Sequence, residues 1–243
     1  PSCVPEQTLK HPLVDIVVRG QGEHTFRKLA RRIENNGDLK SIKGISYKID
    51  GRCLHNPDSE FSDLPVNFCE TFEAIDVDRY VYEKPFAGRA KRTIGIISSL
   101  GCPYNCAFCS VACIYKRRVY FRDIETVLCE IDYFVKEHNV TSVTFDDDNF
   151  FTRRDRVIEI CSKLIERNIE ISWDAGVSVN LLLKHYLDDD LDLMVRSGCE
   201  QLYIGAESGS DEVLKMLNKQ AQVEQTYEFV RKMKRHGIKA SIS

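Results

Sequence analysis

From residue 93 onward, short β-branched runs alternate with longer stretches whose apolar positions recur every three or four residues. Thr93-Ile94-Gly95-Ile96-Ile97-Ser98 predicts a strand. Ile124, Val127, Leu128, Ile131, Phe134 and Val135 then share one helical face, with Asp123 near its start. Ser142–Phe145 predicts a second strand. Thr152 is placed to cap the next helix, with Asp155 three residues on; its apolar face carries Val157, Ile158, Cys161, Leu164 and Ile165. A third strand is expected at about Glu170–Asp174, and a helix through Leu187, Leu191, Met194 and Val195 ends at Gly198. A fourth strand covers Gln201–Ile204. Ser210 can cap a short helix through Val213, Leu214 and Leu217, a longer helix runs to His236, and a fifth strand starts at Ile238.

This repeat predicts an α/β fold, with a parallel sheet and helices outside it. Upstream, Leu13–Val18 reads as a strand and Gly20-Gln21-Gly22-Glu23 as a turn. Phe26, Leu29, Ala30 and Ile33 form a helical stripe. Asp50-Gly51 lies between two strand-like runs and predicts a type I′ hairpin. Residues 56–92 carry Pro57, Pro65 and Pro85 with little periodicity and read as a linker. Three regions are therefore expected: 1–40, a hairpin and linker over 41–92, and 93–243.

The net charge of -3 makes no electrostatic case for nucleic acid or an acidic membrane. No apolar run reaches membrane-spanning length, and no secretory signal is visible. Ten cysteines in a long, periodic chain fit a reducing cytoplasm better than a disulfide scaffold. Cys3, Cys53, Cys69, Cys129, Cys161 and Cys199 are scattered, and Cys129 and Cys161 fall on apolar helical faces, as small buried hydrophobes do.

Cys102, Cys106 and Cys109 are different, because they form a CxxxCxxC run directly after the first strand of the repeat. Three thiolates on one loop can hold three irons of a cubane cluster and leave the fourth open. Cys113 as a fourth ligand would close the site, giving an electron carrier or a structural zinc module instead. In parallel sheets chemistry collects at the carboxyl ends of the strands. The cysteine loop, Asp146-Asp147-Asp148-Asn149 and Gly205-Ala206-Glu207-Ser208 all fall there. Lys116-Arg117-Arg118 reads either as a solvated basic face or as an attractor of an anionic partner.

Taken in order, these motifs resemble the radical S-adenosylmethionine (SAM) enzymes, most closely the subgroup with an N-terminal cobalamin-binding domain. Val17–Glu23 is similar to the end of that domain, Phe145–Phe150 to a DDxF-like segment, Gly205–Ser210 to a GxESGS segment, and Leu217-Asn218-Lys219 to the LNK that follows. The fold implied is a partial (β/α) radical SAM barrel, truncated in its fifth unit. The last βα piece of a Rossmann-like cobalamin-binding domain precedes it. The chain opens on Pro1 and stops within a strand, so more sequence is expected at both ends.

The resemblance implies a 4Fe–4S cluster on Cys102, Cys106 and Cys109, SAM on its open iron, and reductive cleavage to a 5′-deoxyadenosyl radical. It places Phe108, Gly205, Glu207 and Ser208 at SAM, and Asp147 and Asp148 against SAM or substrate. Phe108 reads equally well as a loop anchor, and the aspartates as solvated or helix-capping groups. Cobalamin is implied as a further cofactor, although the usual cobalamin-contact loops are absent from this sequence. The partners implied are a small-molecule substrate and a low-potential donor such as a flavodoxin or ferredoxin. Methyl transfer to an unactivated carbon is the expected reaction. Ring closure of the anaerobic porphyrin-ester cyclase type is the alternative within the family.

Overall fold

In a computed structural model, residues 1–61, 72, 74–86 and 89–243 are described. Cys69 and Pro65 lie outside them. Two compact units are present: residues 1–63 with 109–118, and residues 64–108 with 119–243.

In the first unit, strand β1 (Ile16–Val18) pairs antiparallel with β2 (Ile45–Ile49), which pairs with β3 (Arg52–His55). The hairpin is therefore part of one small sheet with the first strand, not a separate connector. Its turn is the one expected: Asp50 and Gly51 both have positive φ, at 49° and 75°. Among the described residues the unit also has three α-helices: α1 (Pro5–Leu9), α2 (Glu23–Glu34) and α3 (Val111–Tyr115). The core is small: Leu29, Ile42, Ile45 and Tyr47. Of the predicted α2 stripe only Leu29 is buried; Phe26, Ala30 and Ile33 are exposed. Periodicity found the helix, but a core this small covers only one of its turns.

The second unit is built on a six-stranded sheet. Its strands are β4 (Tyr82–Phe86), β5 (Arg89–Ile96), β8 (Ser142–Phe145), β9 (Ser172–Val177), β10 (Cys199–Ile204) and β11 (Lys239–Ile242). They lie in that order; β4 is an antiparallel edge and the other five are parallel. A short ribbon of β6 (Ser99–Leu100) and β7 (Tyr120–Phe121) follows β5. Strand β4, and β5 before residue 93, fall where a linker was expected. Pro85 and the alternating charges hid them, because an edge strand tolerates both.

The outer face of the sheet is apolar. Ile94, Ile96, Val143, Phe145, Trp173, Ala175, Leu202 and Ile204 pack in one core with residues of α4 (Ile124–His138), α5 (Arg154–Glu166), α7 (Asp188–Arg196) and α9 (Val223–Arg235). Two short helices, α6 (Val179–His185) and α8 (Asp211–Met216), are also present. Asp123 caps α4 by accepting from the Thr126 N–H at 2.9 Å. Gly198, at φ 101°, brings the chain from α7 into β10; a Cβ there would lie 1.9 Å from the Ile171 carbonyl oxygen. Two expectations change. The residue before α5 is Arg153 rather than Thr152, and no side chain caps it. Cys161 is buried, but Cys129 is exposed, because it lies on the outward side of α4.

The inner face is polar and shows how strongly the sheet curls. Lys84 on β4 donates to Asp174 on β9 at 2.8 Å, three strands away. In a flat sheet that is about 14 Å, farther than a lysine reaches. Lys91 on β5 likewise bonds Glu200 on β10. A register shift between Cys199 and Gln201 turns Glu200 to that inner face. The result is a curled half-barrel. Among the described residues, no helix is long and apolar enough to cross a membrane.

A buried ion pair lies beside the exit of β5. Arg122 donates to Glu130 at 2.9 Å and to the Ile97 carbonyl at 2.7 Å, and both side chains are almost fully covered. Glu130→Ala would leave the guanidinium buried without its carboxylate. The expected cost is about 3–5 kcal/mol, read as a lower urea midpoint, and the paired replacement Arg122→Met with Glu130→Leu should cost much less.

Candidate active site

Three loops meet at the carboxyl ends of β5, β8 and β10. The first leaves β5 through Ser98 and Ser99, then turns at Gly101, whose φ of 93° suits glycine, into Cys102. The loop after β8 holds it there. The Asp147 carboxylate accepts from the Ser98 N–H at 2.6 Å, the Ser98 hydroxyl at 2.7 Å and the Ser99 hydroxyl. Asp148 accepts from the Gly101 N–H at 2.7 Å. Asn149 donates to Ser178 at 3.0 Å and makes a long contact, 3.7 Å, with the Cys102 sulfur.

Asp147 is 7% exposed, and burial pushes its carboxyl above the usual range, against the opposing pull of its hydroxyl and N–H donors. Its oxygens accept from three donors at the β5 exit, so it positions that exit. Asp148 keeps an exposed side chain at the loop mouth. Asn149 is a site residue that sequence reasoning passed over. It is buried, and its Oδ1 has no hydrogen-bond partner.

The second support comes from beyond β10. The Ala107 N–H donates to the Leu217 carbonyl at 2.9 Å, and the Asn218 amide to the Asn105 carbonyl at 2.7 Å. Lys219 donates to Glu207 at 3.0 Å and stands 5.9 Å from the centre of the Phe108 ring. Phe108 and Glu207, almost a hundred residues apart, are thus brought together through Lys219. Glu207 has φ 62°, and its side chain folds back over Gly205, where a Cβ would lie 2.2 Å from its carboxylate. Ser208 accepts locally from the Ser210 N–H at 3.1 Å.

Cys102 and Cys106 are half-buried and Cys109 is exposed; every described cysteine is a thiol rather than half of a disulfide. Tyr104 lies beside Cys102 and Cys106. Burial raises its phenol pKa, and a hydrogen bond with Asn180 opposes this. Among the described residues, no three His, Cys, Asp or Glu side chains already form a metal-holding group. The donor set nevertheless suits iron: three cysteines within eight residues, in a segment held to the barrel at Gly101, Asn105 and Ala107. Cys113, the candidate fourth ligand, is half-buried and lies in the first unit, as Cys109 does. Lys116 pairs with Asp58 at 3.5 Å, so it belongs to a salt-bridged surface.

The sequence profile of the radical SAM superfamily matches residues 96–243. The chain belongs to the radical SAM superfamily. An uncharacterized methyltransferase of Pyrococcus horikoshii is 29% identical over 97% of this chain and 50% of its own length. An anaerobic magnesium-protoporphyrin IX monomethyl ester cyclase of Synechocystis is 28% identical over 94% of this chain and 44% of its own. The chain thus spans about half the length of these relatives. Among solved structures, the cobalamin-dependent radical enzyme OxsB, with aqua-cobalamin and SAM bound, superposes with TM-score 0.78. It is 22% identical over all of this chain and 35% of its own. The methyltransferase TsrM of Kitasatospora setae, with cobalamin and a [4Fe-4S] cluster bound, gives 0.73 at 16% identity, over 99% of this chain and 47% of its own. These two likenesses show the partial radical SAM barrel. With relatives named as methyltransferases and cyclases, the chain is that of an enzyme, and its superfamily implies SAM and an iron–sulfur cluster.

Two outcomes test this geometry. Asp147→Ala strands one N–H and two hydroxyls at the β5 exit; a loss of roughly 3 kcal/mol and faster proteolysis within 101–110 are expected. Iodoacetamide near neutral pH should label Cys109 and Cys129 well before Cys161, whose thiol burial pushes up to about 12. Mass spectrometry of the labelled peptides reads the order.

Proposed function

We propose that the chain carries the cluster-binding and SAM-binding part of a cobalamin-dependent radical SAM enzyme that transfers a methyl group to an unactivated carbon. The observation that carries the reading is the double anchoring of the CxxxCxxC loop, by Asp147 and Asp148 on one side and by Leu217 and Asn218 on the other. Cys102, Cys106 and Cys109 would hold the 4Fe–4S cluster. When bound, that cluster would supply one electron for reductive cleavage of SAM.

The chain's own residues bind and orient. Gly101 and the two serines before it keep the loop at the sheet's carboxyl end, where a ligand is reached from the barrel mouth. Phe108 offers an exposed ring to an apolar or aromatic group, with the Lys219 ammonium beside it. Glu207 offers a carboxylate to hydroxyl or ammonium donors, held in direction by Lys219 and by the space over Gly205. Ser208 adds a hydroxyl and Asp148 an exposed carboxylate to the same end of the sheet.

Cobalamin dependence rests on the resemblance and on the enzymes that share the fold. The described first unit contributes one strand and one helix of the expected lobe, and no residue in it is assigned a cobalamin contact. The cyclase relatives support ring closure as a second reading of the same scaffold. A small-molecule substrate, a low-potential flavodoxin or ferredoxin as donor, and a cytoplasmic setting complete the proposal.

Anaerobic reconstitution with iron and sulfide tests it. About four irons per chain are expected. Any one of Cys102→Ala, Cys106→Ala or Cys109→Ala should abolish loading, and Cys113→Ala should not. Reconstituted protein given SAM and a low-potential reductant should yield 5′-deoxyadenosine. Equal amounts of S-adenosylhomocysteine and methylated product would support methyl transfer over ring closure. Iron that survives all three cysteine replacements would overturn the assignment.

A further inference from the structure

A stripe of cations runs along helix α2. His24, Lys28, Arg31 and Asn35 follow one another at spacings of four, three and four, so they share one face of the helix, and Arg32 stands beside them. Like charges three and four residues apart repel, so Lys28, Arg31 and Arg32 weaken the helix that carries them. No carboxylate offsets this: among the described residues, none of the three side chains makes an ion pair. Helix packing gives no reason for such a stripe, because the buried positions of α2 are Thr25 and Leu29.

That face lines a cavity of about 850 Å³ in the first unit. Lys43 is another of its lining residues, with its ammonium on the Glu60 carboxylate at 3.0 Å. Lys28, Arg31, Arg32 and Lys43 therefore share the cavity with the one carboxylate of Glu60, although the chain as a whole carries a net charge of -3. Arg32 is held in place. Its stem lies against Gly37, where a Cβ would stand 2.2 Å from the Arg32 Cδ, and its guanidinium donates to the Ser41 hydroxyl at 3.4 Å. The cavity also has a buried polar residue. Thr25 is 5% exposed and lines the cavity, and among the described residues its hydroxyl has no hydrogen-bond partner. The Thr25 and Ser59 hydroxyl oxygens lie 3.2 and 2.8 Å from the point that a Cβ on Gly44 would occupy, so the two converge. A buried hydroxyl is normally paired, and one left open on a cavity is ready for an acceptor.

The chemistry of the wall selects the ligand. Ammonium and guanidinium groups only donate, and a hydroxyl can donate, so the complement is an anion rich in acceptor oxygens. Phosphate meets that need, and guanidinium forks bind it in pairs of hydrogen bonds. The cations are spread over the wall of a cavity the size of a small-molecule site, too roomy for one small anion. We infer that this cavity is a binding site for a small molecule carrying a diphosphate group, with Lys28, Arg31 and Arg32 on the phosphate oxygens and Thr25 donating from the wall. The site does not depend on the cluster or on SAM, and its test uses neither.

Calorimetric titration of the full chain at low salt compares sodium diphosphate, ADP and adenosine. Diphosphate and ADP should saturate a single site with an affinity that falls as salt rises, and adenosine should not bind. Lys28→Gln and Arg31→Gln should each weaken ADP about tenfold or more, and Thr25→Val should weaken it by a smaller factor. Thermal unfolding supplies the second reading. Relief of like-charge repulsion should leave the midpoint of the Lys28 and Arg31 variants unchanged or raised, whereas side chains that only support the fold would lower it. Tighter binding of ADP than of diphosphate assigns a nucleotide, and equal affinity assigns the bare diphosphate group; either supports the site. The inference is overturned if neither ligand saturates, or if Arg231→Gln, on an exposed cation of α9, weakens ADP as much as Arg31→Gln does. It is overturned as well if polyglutamate displaces ADP at lower concentration than diphosphate does, because the face is then a docking surface for an acidic chain.

Discussion

The arrangement depends on one buried carboxylate. Asp147 leaves β8 and immediately satisfies a backbone N–H and two hydroxyls at the exit of β5. Neighbouring parallel strands pair side by side, but nothing in the ladder dictates how the chains leave it. Three donors on one acceptor make that choice. An unpaired buried acceptor or donor costs more than a made hydrogen bond gains, so alternative exits are disfavoured. Arg156, packed against Phe121 and donating to the Ser98 carbonyl at 3.1 Å, closes the same corner. The cysteine loop therefore begins from a fixed point, and Asn105 and Ala107 within it are fixed again on Asn218 and Leu217.

The curl of the sheet has a related electrostatic cause. Lys84 reaches across the inner face to Thr144 at 3.0 Å and Asp174 at 2.8 Å, with the Tyr203 ring 5.0 Å away. Burial alone would depress its ammonium, yet Asp174 and Tyr203 hold it above its ordinary value. Asp174 is enclosed, and burial raises its carboxyl in spite of the lysine. Such a pair contributes little net stability, because desolvation offsets most of the attraction. Its effect is on shape: it joins strands that a flat sheet would keep apart. Gly95 keeps the same face clear where the Asp146 carboxylate folds over it, 2.1 Å from where a Cβ would stand.

The catalytic end and the first unit differ in how they are held. The barrel unit has a continuous apolar core of strands and helices. The first unit has a small cluster of Leu29, Ile42, Ile45 and Tyr47 and relies on a three-stranded antiparallel sheet, charge pairs and the Asn56 amide bridging the Leu39 and Ile42 carbonyls. Phe26 and Ile33 remain outside that core.

Much was legible from the linear pattern. The five parallel strands, the amphipathic helices, the Asp50-Gly51 turn and the ordered motifs followed from periodicity, turn chemistry and spacing, all of which are local properties. Strand β4 was not legible, because an edge strand with proline and charge lacks the alternation of a half-buried one. Cys129 was misplaced because helical spacing defines a stripe but not its width. The placement of Asp147, Asn149 and Lys219 was out of reach for a different reason. A run of aspartates looks the same whether its members face water, a ligand or a neighbouring strand's donors. Which atom fills which role depends on partners fifty to a hundred residues away, and those meet only when the sheet curls. Composition and order determined the kind of fold and the chemistry available; tertiary structure decided which carboxylates anchor the loop and which remain open to a ligand.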